Sequence, residues 1–243
     1  MIESILLTTV NILTYQGTQQ LTNATGFFFE RDGRLFLVTS RHVVIDKAND
    51  HHPDRIVIEL HTDAENAAES TGFSIPLYEN RKSVWRQGLD SAGEIDVAAI
   101  EVERDALPET AAFHAFTTRH LQDPGGHVEV GSTVLVVGFP LGFHDTLHHM
   151  PVARHAVIAS SFGLRFKGEG YFLTDARTHR GTSGAPIVMR VNRKDSGLGE
   201  LPWKLLGVHS ARLDVGSRDV VIDEALGLNV AWYADILLTL TKD

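Results

Sequence analysis

Short runs of β-branched and aromatic residues, each closed by a turn signal, recur along almost the whole of this 243-residue chain. They include Thr25 to Glu30, Leu35 to Thr39, Arg55 to Leu60, Val97 to Val102 and Ser132 to Val137. Ala156 to Ser160, Tyr171 to Thr174, Pro186 to Val191 and Leu205 to His209 continue the series. Between them stand Asp32-Gly33, Pro124-Gly125-Gly126 and Ser196-Gly197-Leu198-Gly199, which suit tight bends and positive φ. Runs of this length and composition are strands, and their frequency predicts an antiparallel all-β architecture.

The chain is long enough to bury a substantial core, as one large domain or two small ones. The stretch Asp105 to Gly126, with Pro108 and the Pro-Gly-Gly cluster, has the character of a connector between two β halves. The expected division is residues 1–110, a connector at 111–127, and 128–243. No sequence repeat relates the halves. At the end, Val230, Trp232, Ile236, Leu237 and Leu240 recur near helical spacing, which predicts a C-terminal helix over 229–241, capped by Asn229 and docked on the second half. The N-terminal run Ile2 to Leu7 lacks a positive flank and is interrupted by Thr8, Thr9 and Asn11, so it is expected to open a first strand and not to act as a signal peptide.

Three segments carry chemistry. Gly181-Thr182-Ser183-Gly184 sets a serine in a glycine-flanked turn, Ser40-Arg41-His42-Val43 closes an apolar run on a histidine, and Ile95-Asp96-Val97-Ala98 opens one on an aspartate. A serine hydroxyl is a weak nucleophile and needs an imidazole to take its proton, which assigns Ser183 as nucleophile and His42 as base. The imidazole needs a carboxylate to fix its tautomer, a role for Asp96, with Asp90 and Glu94 as nearby rivals. The oxyanion needs preorganised amides, and this turn can aim those of Gly181 and Ser183 at one point. Alone, each element is an ordinary turn or strand-end residue; weight comes from their conjunction in the order His, Asp, Ser.

With these landmarks go Gly26-Phe27-Phe28-Phe29, Val134 to Pro140, Thr174-Asp175-Ala176 and Leu206-Gly207-Val208-His209-Ser210. On them the chain resembles bacterial trypsin-like serine peptidase domains of the chymotrypsin fold over nearly its whole length, nearest to the high-temperature-requirement and glutamyl endopeptidase branches. Ala185, where glycine is usual, and Arg41, where a small or amide residue is usual, depart from the pattern. The resemblance implies two six-stranded barrels with His42 and Asp96 on the first and Ser183 on the second. It implies endopeptidase activity through an acyl-enzyme, with substrate backbone paired to the edge at Ser210 to Arg212.

It also places Thr178 and His209 beside the primary pocket and Arg177 near its floor, a set that implies cleavage after Glu, or after Asp or Gln. Thr182 stands before the serine where zymogens of the family carry an aspartate, so activation by N-terminal cleavage is not expected. The alternative reading is a catalytically dormant peptide-binding module or a partner-activated protease effector.

A formal charge of −9 argues against a nucleic-acid surface, and no run of about 18 apolar residues predicts a membrane span. The chain has no cysteine, which suits a reducing, cytoplasmic setting. Expected partners are a protein or peptide substrate and a regulatory protein. No metal or organic cofactor is expected, although His144, His148, His149 and His155 cluster in sequence.

Overall fold

The computed structural model describes residues 2–91, 93–123, 126–191, 201–213 and 227–242. The Ser196 to Gly199 turn and the Pro124-Gly125 pair lie outside the described residues. The first half is a sheet in which strand order follows β5 (Ser70–Pro76), β4 (Arg55–His61), β1 (Thr9–Gln16), β2 (Gln19–Arg31), β3 (Arg34–Thr39), β9 (Gly93–Val102) and β8 (Trp85–Asp90), curled into a barrel-like arrangement. A separate small hairpin pairs β6 (Tyr78–Glu79) with β7 (Lys82–Ser83). The second half is a closed barrel of β11 (Thr133–Gly138), β12 (Val152–Ile158), β13 (Tyr171–Asp175), β16 (Leu228–Tyr233), β15 (Trp203–Arg212) and β14 (Pro186–Arg190). The all-β expectation holds, and the anticipated strands are all present with shifted ends.

Strand alternation explains how the halves are joined. On β2 and β3, Phe28, Leu35 and Leu37 point into the first barrel, while Phe27, Phe29, Phe36 and Val38 face outward. The outward set meets Val137, Leu173, Val188, Leu205, Val208 and Trp232 of the second barrel in one buried cluster. Phe27, Phe28, Phe29 and Phe36 are fully buried, each contributing roughly 1.5–3 kcal/mol relative to exposure. On β9 the same alternation puts Ile95, Val97 and Ala99 into the inter-barrel cluster and Ala98 and Ile100 into the first barrel. The cleft between the barrels is therefore walled by rigid strands.

Three local expectations change. The first strand begins at Thr9, after a 3-10 turn at Leu6–Thr8 in which the Thr8 hydroxyl donates to Ile5 O (2.7 Å) and is buried without cost. The connector is not bare chain: Phe116–Thr117 forms β10, parallel to β2, with Phe116 fully buried against Phe27. The C-terminal helix is shorter than 229–241: residues Leu228–Tyr233 are β16, and helical turns span only Ala234–Ile236 and Leu237–Leu240 (α2). Asn229 is thus a strand residue and not a helix cap.

That helix also docks on the first barrel. Ile236 and Leu240 lie over Gly88 of β8, and Arg31 donates to Leu238 O (2.6 Å) while Arg86 binds the carbonyls of Leu240 and Lys242. The carbonyls left open at a helix C-terminus attract cationic donors, and both arginines belong to the first barrel. The second barrel's last segment thus straps the sheet edge next to the strand that carries Asp96.

Candidate active site

His42 lies on α1 (Arg41–Val44), a single helical turn whose Val43 and Val44 plug the first barrel. Asp96 is near the start of β9, and its carboxylate grips His42 twice. Oδ2 meets Nδ1 at 2.7 Å, and Oδ1 accepts from the backbone amide of His42 at 2.8 Å. Ser210 Oγ donates to the same Oδ2 at 2.5 Å. The rivals are occupied elsewhere: Glu94 pairs with Arg41 (2.8 Å) and Asp90 lies within 4.0 Å of Arg165. The unusual Arg41 thus has a local ion-pair partner.

Burial alone would lower the His42 imidazole, but the hydrogen bond and charge of Asp96 outweigh it and hold the ring above its ordinary 6.5. Burial alone would raise Asp96; the hydrogen bonds and charge of His42, with the Ser210 hydroxyl, hold it below the usual carboxylate range. Each group stabilises the charge of the other, which is the arrangement a general base needs as it becomes an imidazolium.

Ser183 follows β13 across the cleft. Its Oγ donates to Ser210 O at 3.1 Å, and no hydrogen bond joins it to His42. Ser210 is therefore the bridge between the groups, its hydroxyl on Asp96 and its carbonyl on Ser183. The nucleophile loop turns at Gly181 (φ +89°) and Gly184 (φ +86°). A Cβ at Gly181 would meet Asn23 Nδ2 and Phe139 O, and one at Gly184 would meet Thr25 O and the Thr39 hydroxyl, so both positions require glycine. Ala185, by contrast, buries its methyl in the second-barrel core without strain.

The loop's amides are preset. Arg180 O accepts from Leu141 N (2.5 Å) and Thr182 O accepts from Ala185 N (2.9 Å). In a trans peptide the N–H points opposite the C=O, so the N–H groups of Gly181 and Ser183 are turned away from those contacts. Neither donates to any acceptor among the described residues. Two unengaged amides one residue apart, beside a serine hydroxyl, are the kind of donor pair that a developing oxyanion requires.

The residues expected around the primary pocket divide. Thr178 and His209 are buried, whereas Arg177 is exposed. Asn229, which sequence reasoning missed as a site residue, is fully buried beside Thr178. Its Nδ2 donates to Ala176 O (2.8 Å) and Gly227 O (2.7 Å), which forces Oδ1 toward Thr178 and makes the Thr178 hydroxyl the donor of their 2.5 Å bond. A buried polar residue amid the Val230/Trp232 run was the available signal. Beyond Ser210, Ala211 and Arg212 are exposed at the end of β15, on the edge expected to meet substrate.

Burial pushes His209 down to about 4, assisted by His42 and opposed by Asp96. His120 is likewise held at about 4, by burial and the charge of Lys204. The unfolded chain protonates these rings near 6.5 and the folded chain does not until about 4. Their contribution to stability is therefore intact above 6.5 and lost as pH falls to 4, about 3 kcal/mol for His209 and less for the more accessible His120. Melting temperature is expected to fall across that window, and His209→Gln should flatten the slope. An unchanged slope in the variant would contradict the buried neutral ring.

The histidines of the 144–155 segment do not converge. His148 pairs with Asp145 (2.6 Å), His144 stacks on His149, and His155 is exposed on β12. Among the described residues no group of acidic or histidine side chains is arranged to hold a metal ion.

The sequence matches the model of the trypsin-like peptidase domain over residues 24–193. A search of curated proteins returns no match. Among solved structures, the serine endoprotease from Yersinia pestis superposes with a TM-score of 0.55 at 15% identity, covering 97% of this chain and 62% of that one. At that identity the likeness is one of fold, and this chain spans about three-fifths of the endoprotease's length. No helix among the described residues is long and apolar enough to cross a membrane.

Proposed function

Since the chain belongs to the trypsin-like peptidase domain family, a family of chymotrypsin-fold serine proteases, we propose that it hydrolyses peptide bonds through an acyl-enzyme formed on Ser183. The observation that supports this reading is Ser210, whose hydroxyl donates to the Asp96 of the His42–Asp96 pair and whose carbonyl accepts from Ser183 Oγ, with the Gly181 and Ser183 amides unengaged among the described residues.

Ser183 Oγ bonds to the substrate carbonyl carbon while its proton passes to His42 Nε2, and the carbonyl oxygen, now negative, is received by the Gly181 and Ser183 amides. His42 returns the proton to the leaving nitrogen as the C–N bond breaks. Water then attacks the ester with His42 again as base, and Ser183 regains its proton. In the free protein the hydroxyl rests on Ser210 O. An extended substrate offering its backbone N–H to that carbonyl releases the hydroxyl to rotate toward His42, so substrate backbone completes the site.

For specificity, Thr178 and His209 support a side chain bearing a carbonyl oxygen: Glu, Gln or Asp. The order among these follows from proton bookkeeping. The Thr178 proton is committed to Asn229, leaving only lone pairs, and His209 is neutral at physiological pH. A neutral imidazole N–H paired with a hydroxyl lone pair matches a side-chain amide, which both accepts and donates. A carboxylate finds one donor and no cation. Fluorogenic peptides differing only at the residue before the cleaved bond should show kcat/KM for Gln about 10-fold above Glu at pH 7.5, the equivalent of ~1.4 kcal/mol, with Arg and Leu poorer still. Preference for Arg or Leu would defeat the pocket assignment. Preference for Glu would defeat its ordering.

A further inference from the structure

We propose that Thr25, on the first barrel, is a positioning residue that sets the oxyanion-binding amides of the nucleophile loop on the second. The inference rests on the catalytic reading of Ser183 given above. Thr25 lies two residues before Phe27 on β2, so strand alternation directs its side chain out of the first barrel and into the cleft. It is fully buried there.

Every polar group of Thr25 is engaged. The hydroxyl accepts from Phe139 N (3.1 Å) and donates to Gly181 O (2.7 Å), and the directions are fixed because the amide can only donate and the carbonyl only accept. The backbone N–H donates to Ser183 O (2.9 Å), and Thr25 O accepts from the Thr39 hydroxyl (2.8 Å). One residue of the first barrel therefore holds the carbonyls of both residues whose amides would receive the oxyanion.

The Phe139 contact reaches the same loop by a second route. Phe139 opens the turn that presents Leu141 N to Arg180 O, and that hydrogen bond orients the peptide whose N–H belongs to Gly181. Leu141 has φ +57°, a conformation a leucine holds only when its surroundings impose it. Thr25 holds the Phe139 amide, and Asn23 Nδ2, two residues earlier on β2, donates to Phe139 O (3.4 Å). Loss of the Thr25 hydroxyl leaves Phe139 N–H and Gly181 O without partners in a dry cleft, and the loop can regain them only by turning its peptides. The reacting hydroxyl, the His42–Asp96 pair and the pocket residues touch none of these groups, so substrate binding is left intact.

Thr25→Val is expected to lower kcat about 10²-fold, with KM changed less than about 3-fold. Affinity for a peptide boronic acid, which takes the tetrahedral form on the serine, should fall by the same factor as kcat. Thr25→Ser, which keeps the hydroxyl, should recover most of the rate. Should Thr25→Val misfold, Thr25→Ala removes the hydroxyl without an added methyl and carries the same expectations. Equal losses in kcat for Thr25→Ser and Thr25→Val, a loss confined to KM, or unchanged kcat and boronate affinity in a folded variant would overturn the proposal while leaving the catalytic reading standing. A folded wild type inert to peptides, fluorophosphonate and boronate alike would overturn both.

Discussion

Replacement of Ser183 by alanine is expected to lower peptide hydrolysis about 10⁶-fold, the scale on which a serine protease loses its nucleophile, with the melting temperature unchanged within a degree or two. The first half follows from chemistry: with the Ser183 hydroxyl gone, water attacking unaided lacks the covalent step that divides the barrier. The second half follows from packing. Ser183 Oγ makes one hydrogen bond among the described residues, to Ser210 O, whereas the loop is held by the Thr25 hydroxyl on Gly181 O, the Thr25 amide on Ser183 O, the bond from Gly184 N to His209 O and the turns at Gly181 and Gly184, none of which uses the serine side chain. Turnover by the purified, folded variant within tenfold of wild type would refute the assignment.

Asp96→Asn should cost about 10⁴-fold in kcat, since an amide at this position can donate to Nδ1 and stabilise the wrong imidazole tautomer. It should also move the pH profile. His42 must be neutral to act as a base, so kcat/KM rises as pH climbs through its pKa, which Asp96 holds above 6.5 against the opposing effect of burial. With the carboxylate gone, burial acts unopposed by its largest counterweight and the acid limb shifts to lower pH. Parallel pH–rate profiles of the two proteins test this. A limb that stays in place, or a loss smaller than tenfold, would mean that Asp96 neither charges nor orients His42.

What the sequence made legible is what local context encodes. Gly181 sits where Asn23 of the first barrel and the Phe139–Leu141 backbone of the second leave no room for a Cβ, and Gly184 where Thr25 and Thr39 of the first barrel leave none, so the nucleophile loop carries its geometry in its composition. His42 and Asp96 each close or open an apolar run, and those runs became β3 and β9, paired in register from Leu35↔Val102 to Thr39↔Ala98. The C-terminal region misled because Val230, Trp232 and Ile236 can be fitted to helical spacing, yet Asn229 and Ala231 alternate with Val230 as a strand that closes the second barrel. Asn229 then bears on the proposed specificity, since it commits the Thr178 proton. Thr25 was invisible for a different reason. Its partners Phe139 and Gly181 lie 114 and 156 residues away, and nothing local distinguishes it from other strand threonines.

Activation of Ser183 by His42 and Asp96 is tested most directly by covalent labelling with a fluorophosphonate. Such a probe reacts with an activated serine and needs no knowledge of the physiological substrate. Wild type, Ser183→Ala and His42→Ala are compared at equal concentration, with folding confirmed by circular dichroism. Activation by this pair requires stoichiometric labelling of wild type, mapped to Ser183, and none in either variant. Labelling that persists in folded His42→Ala at the wild-type rate, or a folded wild type that does not label, would contradict it.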